Sequence, residues 1–352
     1  MTPKQLYRAI KGAAIASLII MCTASCTKKT DLYATIDGFA QGGTYHIVYQ
    51  KPAGWEQLSL PDSLSKYFSQ IDKSLSGYDQ TSLVSQINRG ENPVLDSLFI
   101  ECFNLSKEIY EATGGSFDIS GAPLFDIWGF GFKEKVEITP NMVDSIRQFV
   151  GMDKLSIIYD EASGKHFLSK ADPRMKVNFN AVAQGYTCDF IAAKLELMGI
   201  TDYLIEVGGE IVCKGKNSKG KEWSIAIDKP IDGNFIPGND IQTIIELTDA
   251  GLVTSGNYRK FYIENGEKYS HTINPVTGYP VKHNLLSTTV IAPTAAMADA
   301  YATYLMVIGL EKAQEFLAAS PQMEALLVYG QGEDLKVYST KGVHQRKLNQ
   351  TK

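Results

Sequence analysis

The order of its periodic segments constrains the fold of this chain more than any other feature. Apolar residues recur at helical spacing first, over 61–75 and again over 99–110. Short apolar runs separated by Gly- and Asn-containing turns then follow, at 203–207, 211–213 and 223–227. Helices that precede a mainly strand-forming region favour an α+β fold over a regular parallel βαβ series.

Two further regions complete this outline. Polar and apolar residues alternate over 35–50 around Gly42-Gly43, which predicts a strand with a point of tight backbone approach. Segments 260–263 and 268–273 flank Asn265-Gly266, a dipeptide typical of hairpin turns. No linker interrupts the chain, so we expect one domain over 35–345.

The N-terminus has the features of an export signal. Basic residues precede an apolar run that is too short to span a bilayer, and small residues then lead to Cys26. The sequence TASC at 23–26 resembles a bacterial lipobox, with Thr23 at the usual Leu position. We therefore expect a signal peptide at 1–25, a lipid-anchored tether at 26–34, and a protein attached to a membrane of the bacterial cell envelope, facing the periplasm. The alternative is a plain secreted protein cut nearby.

Charge and cysteine content exclude some functions. The net charge is −5 and the only basic run is Lys28-Lys29, which argues against a nucleic-acid partner. After the signal, Cys102, Cys188 and Cys213 are scattered singly, so they form no zinc motif or disulfide framework by spacing. We expect them to be small buried hydrophobes.

One apolar segment carries a single charged residue. Between a capping Thr294 and a terminating Gly309, the run predicts a buried helix in which Asp299 is the sole charge and Thr303 lies one turn later. A buried carboxylate is costly unless it is hydrogen-bonded or metal-bound, and a carboxylate with a hydroxyl suits Mg²⁺. The alternative is an Asp that bonds the hydroxyl or a nearby amide for structure alone.

Three other segments are candidates for binding. The segment 178–186 predicts a strand-like run that passes into a helix over 187–198, a geometry that offers amides to phosphate. A short polar stretch follows an apolar approach at 252–258. His271 precedes a Pro- and Gly-containing turn, where a histidine is more often structural, although it can also accept a hydroxyl proton near neutral pH.

Together these residues resemble the ApbE family of FAD:protein FMN transferases, in the right order from about residue 37 to 312. The matching pieces are GGTY at 42–45, LSGY at 75–78, TGGSFD at 113–118, WGFG at 128–131, AQGY at 183–186, VGGE at 207–210, TSG at 254–256, HTINP at 271–275 and AD at 298–299. The resemblance implies an α+β fold related to the T-fold. It further implies mixed or antiparallel sheets, packed helices and a flavin cleft between two intimately joined subdomains.

The resemblance also implies a set of site residues. Mg²⁺, or Mn²⁺ in its place, would be held by the Ala181 carbonyl, Asp299 and Thr303, with His271 and Asp118 as candidate catalytic groups. FAD would be the substrate, and an exported redox protein the acceptor through a Thr or Ser hydroxyl, with AMP released. The FAD-binding positions would be Gln41, Tyr78, Ser116, Phe117, Asp118, Asn178, Gln184, Ser255, Gly256, His271 and Ile273.

Some positions depart from the usual family pattern, and two other functions stay open. Gly43 stands in a Gly-Thr position, Gln184 where many members have Lys, and Asn178 and Asn274 where many have Asp. Each of the last three changes removes a charge while keeping hydrogen-bonding capacity. The alternatives are an enzyme that only hydrolyses FAD to FMN and AMP, and a flavin-binding lipoprotein without catalysis.

Overall fold

The computed structural model describes residues 32–52, 60–131, 137–231, 238–257, 261–264, 267–332 and 334–346. The predicted signal peptide, Cys26 and the Asn265-Gly266 turn lie outside the described residues. The helices in chain order are α1 Leu60–Leu75, α2 Leu83–Asn88, α3 Ser97–Ala112, α4 Ala122–Ile127, α5 Pro140–Arg147, α6 Ala183–Leu197, α7 Ala295–Ile308, α8 Leu310–Ala319 and α9 Lys341–Arg346.

Eight strands form one antiparallel sheet in the order β1-β2-β5-β6-β9-β14-β15-β16. Their bounds are β1 Tyr33–Ala40, β2 Gly43–Gln50, β5 Tyr203–Val207, β6 Glu210–Lys214, β9 Ala250–Gly256, β14 Leu285–Ala292, β15 Glu324–Gln331 and β16 Asp334–Ser339. Four two-stranded ribbons accompany it: β3 Leu155–Asp160 with β4 Lys165–Lys170, β7 Trp223–Asp228 with β8 Ile241–Leu247, β10 Phe261–Glu264 with β11 Glu267–Ser270, and β12 Ile273–Asn274 with β13 Tyr279–Pro280.

The sheet is covered on both faces. Residues of α1 and α6 pack against β2 and β5 on one face, and α7 lies on the same face over β9 and β14. The ribbon β7–β8 and α9 cover the other face, where Trp223 and Val343 share a hydrophobic cluster with Leu252 and Ile291. Nearly every residue of β14 is therefore buried, as expected for a central strand between two layers.

The helix ends follow local sequence signals. Asp96 accepts a hydrogen bond from the Phe99 amide at the start of α3, and Thr294 accepts one from the Met297 amide at the start of α7. Gly309 ends α7 with φ 79°, a conformation that a residue with a side chain rarely adopts. The predicted cap and terminator of the apolar helix are therefore confirmed.

The predicted α+β fold is confirmed, but two local predictions were wrong. Residues 35–50 form a hairpin, not one strand, because Gln41 and Gly42 take φ values of 53° and 77° and reverse the chain. The run before α6 is not a strand: it is extended loop whose Asn178 amide bonds the Ile119 carbonyl, and the helix begins at Ala183. The hairpin around 265–266 is confirmed, with β11 ending at Ser270.

Candidate active site

Helix α7 places Asp299 inside the protein. Its side chain is 5% exposed, and the neighbouring Ala298, Ala300 and Ala302 are fully buried. Burial raises the pKa of Asp299, the Gly185 amide lowers it, and the negative charge of Asp189 raises it. The fold therefore holds a carboxylate where its ionised form needs a positive partner.

Thr303 lies one turn after Asp299 and contacts the adjacent strand. Its Oγ1 is 3.4 Å from the Oγ of Ser255 in β9. That distance is at the long limit of a hydrogen bond between hydroxyls, so both oxygens retain capacity for another ligand. The contact joins two predicted site residues that are 48 positions apart in the chain.

The start of α6 approaches Asp299 from the other side. The Gly185 amide donates to Asp299 Oδ2 over 3.4 Å, also a long bond. Ala181 immediately precedes the helix N-cap, Val182, and so belongs to the same helix start. Asp299 therefore makes the bond to a backbone amide that a purely structural role predicts. The donor is the Gly185 amide and not the Thr303 hydroxyl.

Gln184, in the first turn of α6, reaches the sheet. A Cβ added to Gly208 would overlap the Gln184 amide nitrogen and lie 3.0 Å from its Cδ. Gly208 has φ 68° in the turn between β5 and β6, so its backbone conformation favours glycine there. The VGGE segment thereby packs against the AQGY segment.

Gln41 ties the β1–β2 turn to two helices. Its Oε1 accepts a hydrogen bond from Thr187 of α6 over 3.1 Å, and its Nε2 donates to Asp72 of α1 over 3.3 Å. A cavity of about 310 Å³ opens beside it, lined by Phe39, Ala40, Tyr45, Ser65, Phe68, Ser69, Asp72 and Asp79. Tyr78 precedes Asp79 and is 68% exposed, which rules out a core tyrosine.

Asp118 lies beside Asn178. The Asn178 amide donates to the Ile119 carbonyl over 2.8 Å, and Asp118 Oδ1 accepts from the Ser120 amide over 2.7 Å. Burial raises the pKa of Asp118 to about 6, although the bond to Ser120 lowers it. Ser116 is half-buried before it, and Phe117 is buried in the main core. A carboxyl with that pKa can exchange a proton near neutral pH.

His271 follows β11 directly, just outside the strand, and lies near Phe130. Its ring centroid is 6.4 Å from that of Phe130. Two residues later Ile273 is buried in a cluster with Leu124 and Trp128. The Trp128 indole also donates to the Gly278 carbonyl over 2.9 Å, so the WGFG and HTINP segments pack as one unit.

The contacts thus gather the predicted residues into two groups. One surrounds the starts of α6 and α7 and contains Gln41, Gln184, Ser255, Gly256, Asp299 and Thr303. The other lies along the segment 118–130 and contains Asp118 with Asn178, His271 and Ile273, through contacts of Ile119, Leu124 and Phe130. The loop 178–182 runs from the second group into α6.

Sequence reasoning missed Asp189. Its Oδ1 and Oδ2 accept hydrogen bonds from the Ala295 and Ala296 amides, over 2.9 and 2.8 Å. The signal that singled out Asp299 was available here too, because Asp189 is the sole charge in the apolar stretch 185–193. Asp72, the partner of Gln41, carried no comparable signal because it lies on an amphipathic surface helix.

The described residues test what the sequence indicates about the cysteines. Cys102, Cys188 and Cys213 are free and buried, which confirms the sequence interpretation. In that part of the chain no group of three or more His, Cys, Asp or Glu residues is arranged to hold a metal ion. A search of the same residues finds no helix with the length and apolarity needed to cross a membrane.

Comparison with known proteins places the chain in a class. The sequence profile of the ApbE family matches residues 41–327. A FAD:protein FMN transferase of Haemophilus influenzae is 33% identical over 309 residues, which is 86% of this chain and 88% of that protein. The FAD:protein FMN transferase of Escherichia coli is 35% identical over 276 residues, 77% of this chain and 76% of its own length.

Solved structures agree with the sequence relatives. The flavin transferase ApbE of Vibrio cholerae superposes with a TM-score of 0.77 at 28% identity, covering 89% of this chain and 99% of its own. A flavinyl transferase ApbE of Pseudomonas stutzeri, in its apo form, gives 0.78 at 30% identity, with 89% and 96% covered. The chain belongs to the ApbE family.

Proposed function

We propose that this protein transfers FMN from FAD to a Thr or Ser hydroxyl of an exported redox protein and releases AMP, in a reaction that requires Mg²⁺. Flavin transfer from FAD is supported by the curated relatives, which are named for that activity. The observation that carries the metal requirement is the buried Asp299 carboxylate at the junction of two helix starts, with the Thr303 hydroxyl one turn away.

The donor set fits a hard divalent cation. Asp299 Oδ2 and Thr303 Oγ1 each make a 3.4 Å contact, too long to satisfy a buried carboxylate and its neighbouring hydroxyl fully. Carboxylate, hydroxyl and carbonyl oxygens are ligands that Mg²⁺ accepts, and it binds through few protein groups. Asp299, Thr303 and the Ala181 carbonyl would hold the ion, which would neutralise charge on the FAD pyrophosphate.

We place FAD along the two groups of residues. The pyrophosphate would lie near the start of α6, where backbone amides and the positive end of the helix favour an anion. The isoalloxazine would lie toward Gln41 and Tyr78, because an exposed aromatic ring beside a cavity offers a stacking surface. The FAD phosphates would be contacted by Ser255, Gly256 and Gln184. The part of FAD near Asp118 would be lined by Asn178, Ser116, Phe117 and Ile273.

The transfer is a substitution at the flavin-side phosphorus. The acceptor hydroxyl oxygen forms a bond to that phosphorus, the bond to the bridging oxygen breaks, and AMP departs with the electron pair. The hydroxyl proton passes to a base on the protein, for which we propose His271 with Asp118 as the rival. The raised pKa of Asp118, about 6, gives its carboxylate more affinity for that proton than an ordinary aspartate has.

Mass spectrometry of a candidate acceptor tests the proposal. After incubation with FAD and Mg²⁺, the acceptor should gain the mass of one FMN less one water on a Thr or Ser, with AMP released in equal amount. AMP release that is unchanged by the acceptor, without a mass gain, would indicate FAD hydrolysis instead. Absence of AMP in every reaction would leave only flavin binding.

We also propose that Cys26 is lipidated and anchors the protein in the bacterial cell envelope, facing the periplasm. The support is the signal-like sequence before it and the small residues at 23–25. Membrane fractionation tests this: the wild type should sediment with membranes and Cys26→Ala should be released. Equal sedimentation of both would overturn the anchor.

A further inference from the structure

The starts of α6 and α7 lie closer together than most packed helices. A Cβ added to Gly185 would be 2.7 Å from the Ala295 carbonyl carbon and 2.8 Å from the Ala296 nitrogen. On the opposite side, a Cβ added to Gly251 of β9 would be 2.5 Å from the carbonyl carbon of Thr294. The first turn of α7 is therefore held between a helix and a strand that both present glycine.

Two carboxylates cross this junction in opposite directions. Asp189 of α6 accepts from the first two amides of α7, Ala295 at 2.9 Å and Ala296 at 2.8 Å. Asp299 of α7 accepts from the Gly185 amide in the first turn of α6. The bonds of Asp189 are short and engage both oxygens, whereas the single bond of Asp299 is long, so Asp189 supplies the stronger link.

The position of Asp299 depends on where α7 begins. Asp299 is four residues after Ala295, about 6 Å along the axis at 1.5 Å per residue. A rigid first turn therefore fixes how far Asp299 lies from the start of α6, where Ala181 and Gly185 are. Thr294 also caps α7, but its bond to Met297 is made within the helix and fixes nothing relative to α6.

We propose that Asp189 is a positioning residue, which sets the distance between the Asp299 carboxylate on α7 and the Ala181 carbonyl at the start of α6. The inference rests on the proposed Mg²⁺ site. Metal ligands must be placed to within about 0.2 Å, so loss of this link weakens metal binding more than it weakens the fold. Burial raises the pKa of Asp189 to about 6 and the two amides lower it, consistent with an anion that these donors retain.

Mn²⁺ binding, followed by electron paramagnetic resonance with FAD present, tests the proposal. We expect Asp189→Asn, which loses one acceptor, and Asp189→Glu, which keeps the charge but shifts it, both to weaken Mn²⁺ binding by about tenfold or more. Thr294→Ala is the matched control, since it removes a cap from the same helix end, and it should change Mn²⁺ affinity by less than about threefold. FAD affinity, measured by flavin fluorescence in chelator, should be unchanged in all three.

The outcomes separate this inference from the proposed function. If Asp299→Ala binds Mn²⁺ as the wild type does, the metal site itself is wrong. If Asp299→Ala loses binding while both Asp189 variants keep it, only the positioning role is overturned. Wild-type affinity in Asp189→Glu alone would show that charge matters and position does not. Equal weakening in Thr294→Ala would reduce Asp189 to an ordinary cap. Each titration is made well below the melting temperature of the variant, and Asp189→Glu carries the test if Asp189→Asn does not fold.

Discussion

Replacing Gly185 by alanine should separate α6 from α7. The added Cβ would meet three backbone atoms, those of Ala295 and Ala296, and backbone cannot rotate aside as a flexible side chain can. The Ala295 carbonyl oxygen is the nearest of these atoms, and the carbonyl carbon behind it, at 2.7 Å, must move by at least about 0.7 Å to reach normal packing distance.

Two opposing free energies decide the effect on stability. Alanine is favoured over glycine inside a helix by about 1 kcal/mol, whereas overpacking a close contact costs about 1–3 kcal/mol. Because backbone lies on both sides of the contact, we expect the cost near its upper limit and a net loss of about 1–2 kcal/mol. In a chain of this size that lowers the melting temperature by about 1–3 °C.

The Gly185→Ala variant should lose affinity for Mn²⁺ even under conditions where it remains folded. A separation of about 0.7 Å exceeds the tolerance of about 0.2 Å for metal ligands, so Mn²⁺ affinity should fall at temperatures where the variant is folded. Gly330→Ala is the control, because a Cβ there would meet no atom within 4 Å. A Gly185→Ala variant with an unchanged melting temperature and wild-type Mn²⁺ affinity would refute the reasoning.

Other predictions concern individual site residues. Asp299→Ala should abolish transfer and Mn²⁺ binding, because a hydroxyl and a carbonyl alone hold a hard dication poorly against water; full turnover by this variant in chelator would contradict the metal site. Tyr78→Ala should weaken FAD binding by about 1–3 kcal/mol through lost stacking, with little change in melting temperature because the ring is 68% exposed; a lowered melting point with unchanged FAD affinity would disprove it. His271→Asn should slow single-turnover transfer by about 10²–10⁴-fold at saturating FAD, and a rate within about threefold of wild type would pass the role to Asp118. If Asp118 is the base, the rate should rise with pH through about 6 as its carboxyl loses its proton, and Asp118→Asn should remove that dependence. The same raised pKa means that Asp118 stabilises the fold fully below about 3.8, its ordinary value, and that this contribution is lost as pH rises through about 6, which urea unfolding of wild type and Asp118→Asn can measure.

Local patterns in the sequence were sufficient for part of the secondary structure. The helices α1, α3 and α7 and the strands β5, β6 and β7 follow spacings of apolar residues that reflect which side of an element is buried. The capping Thr294 and terminating Gly309 marked the ends of α7 because those signals act on the nearest few residues. The sequence did not predict the hairpin at 35–50 because the chain reverses at Gln41, which has a positive φ. That conformation is uncommon for a residue other than glycine and has no clear sequence signal.

The arrangement of the candidate site was decided by tertiary structure. Sequence singled out Asp299 as a charge in an apolar helix, but nothing local indicates that Gly185, 114 positions away, would donate to it. Nor does anything local indicate that Ser255, 48 positions from Thr303, would contact the Thr303 hydroxyl. Asp189 had the same local signal and was overlooked, since its importance appears only when the first turn of α7 lies against it. Sequence periodicity records burial along one element, whereas the meeting of two helix starts depends on the path of the whole chain, and here that path is possible because Gly185 and Gly251 leave room for backbone to touch backbone.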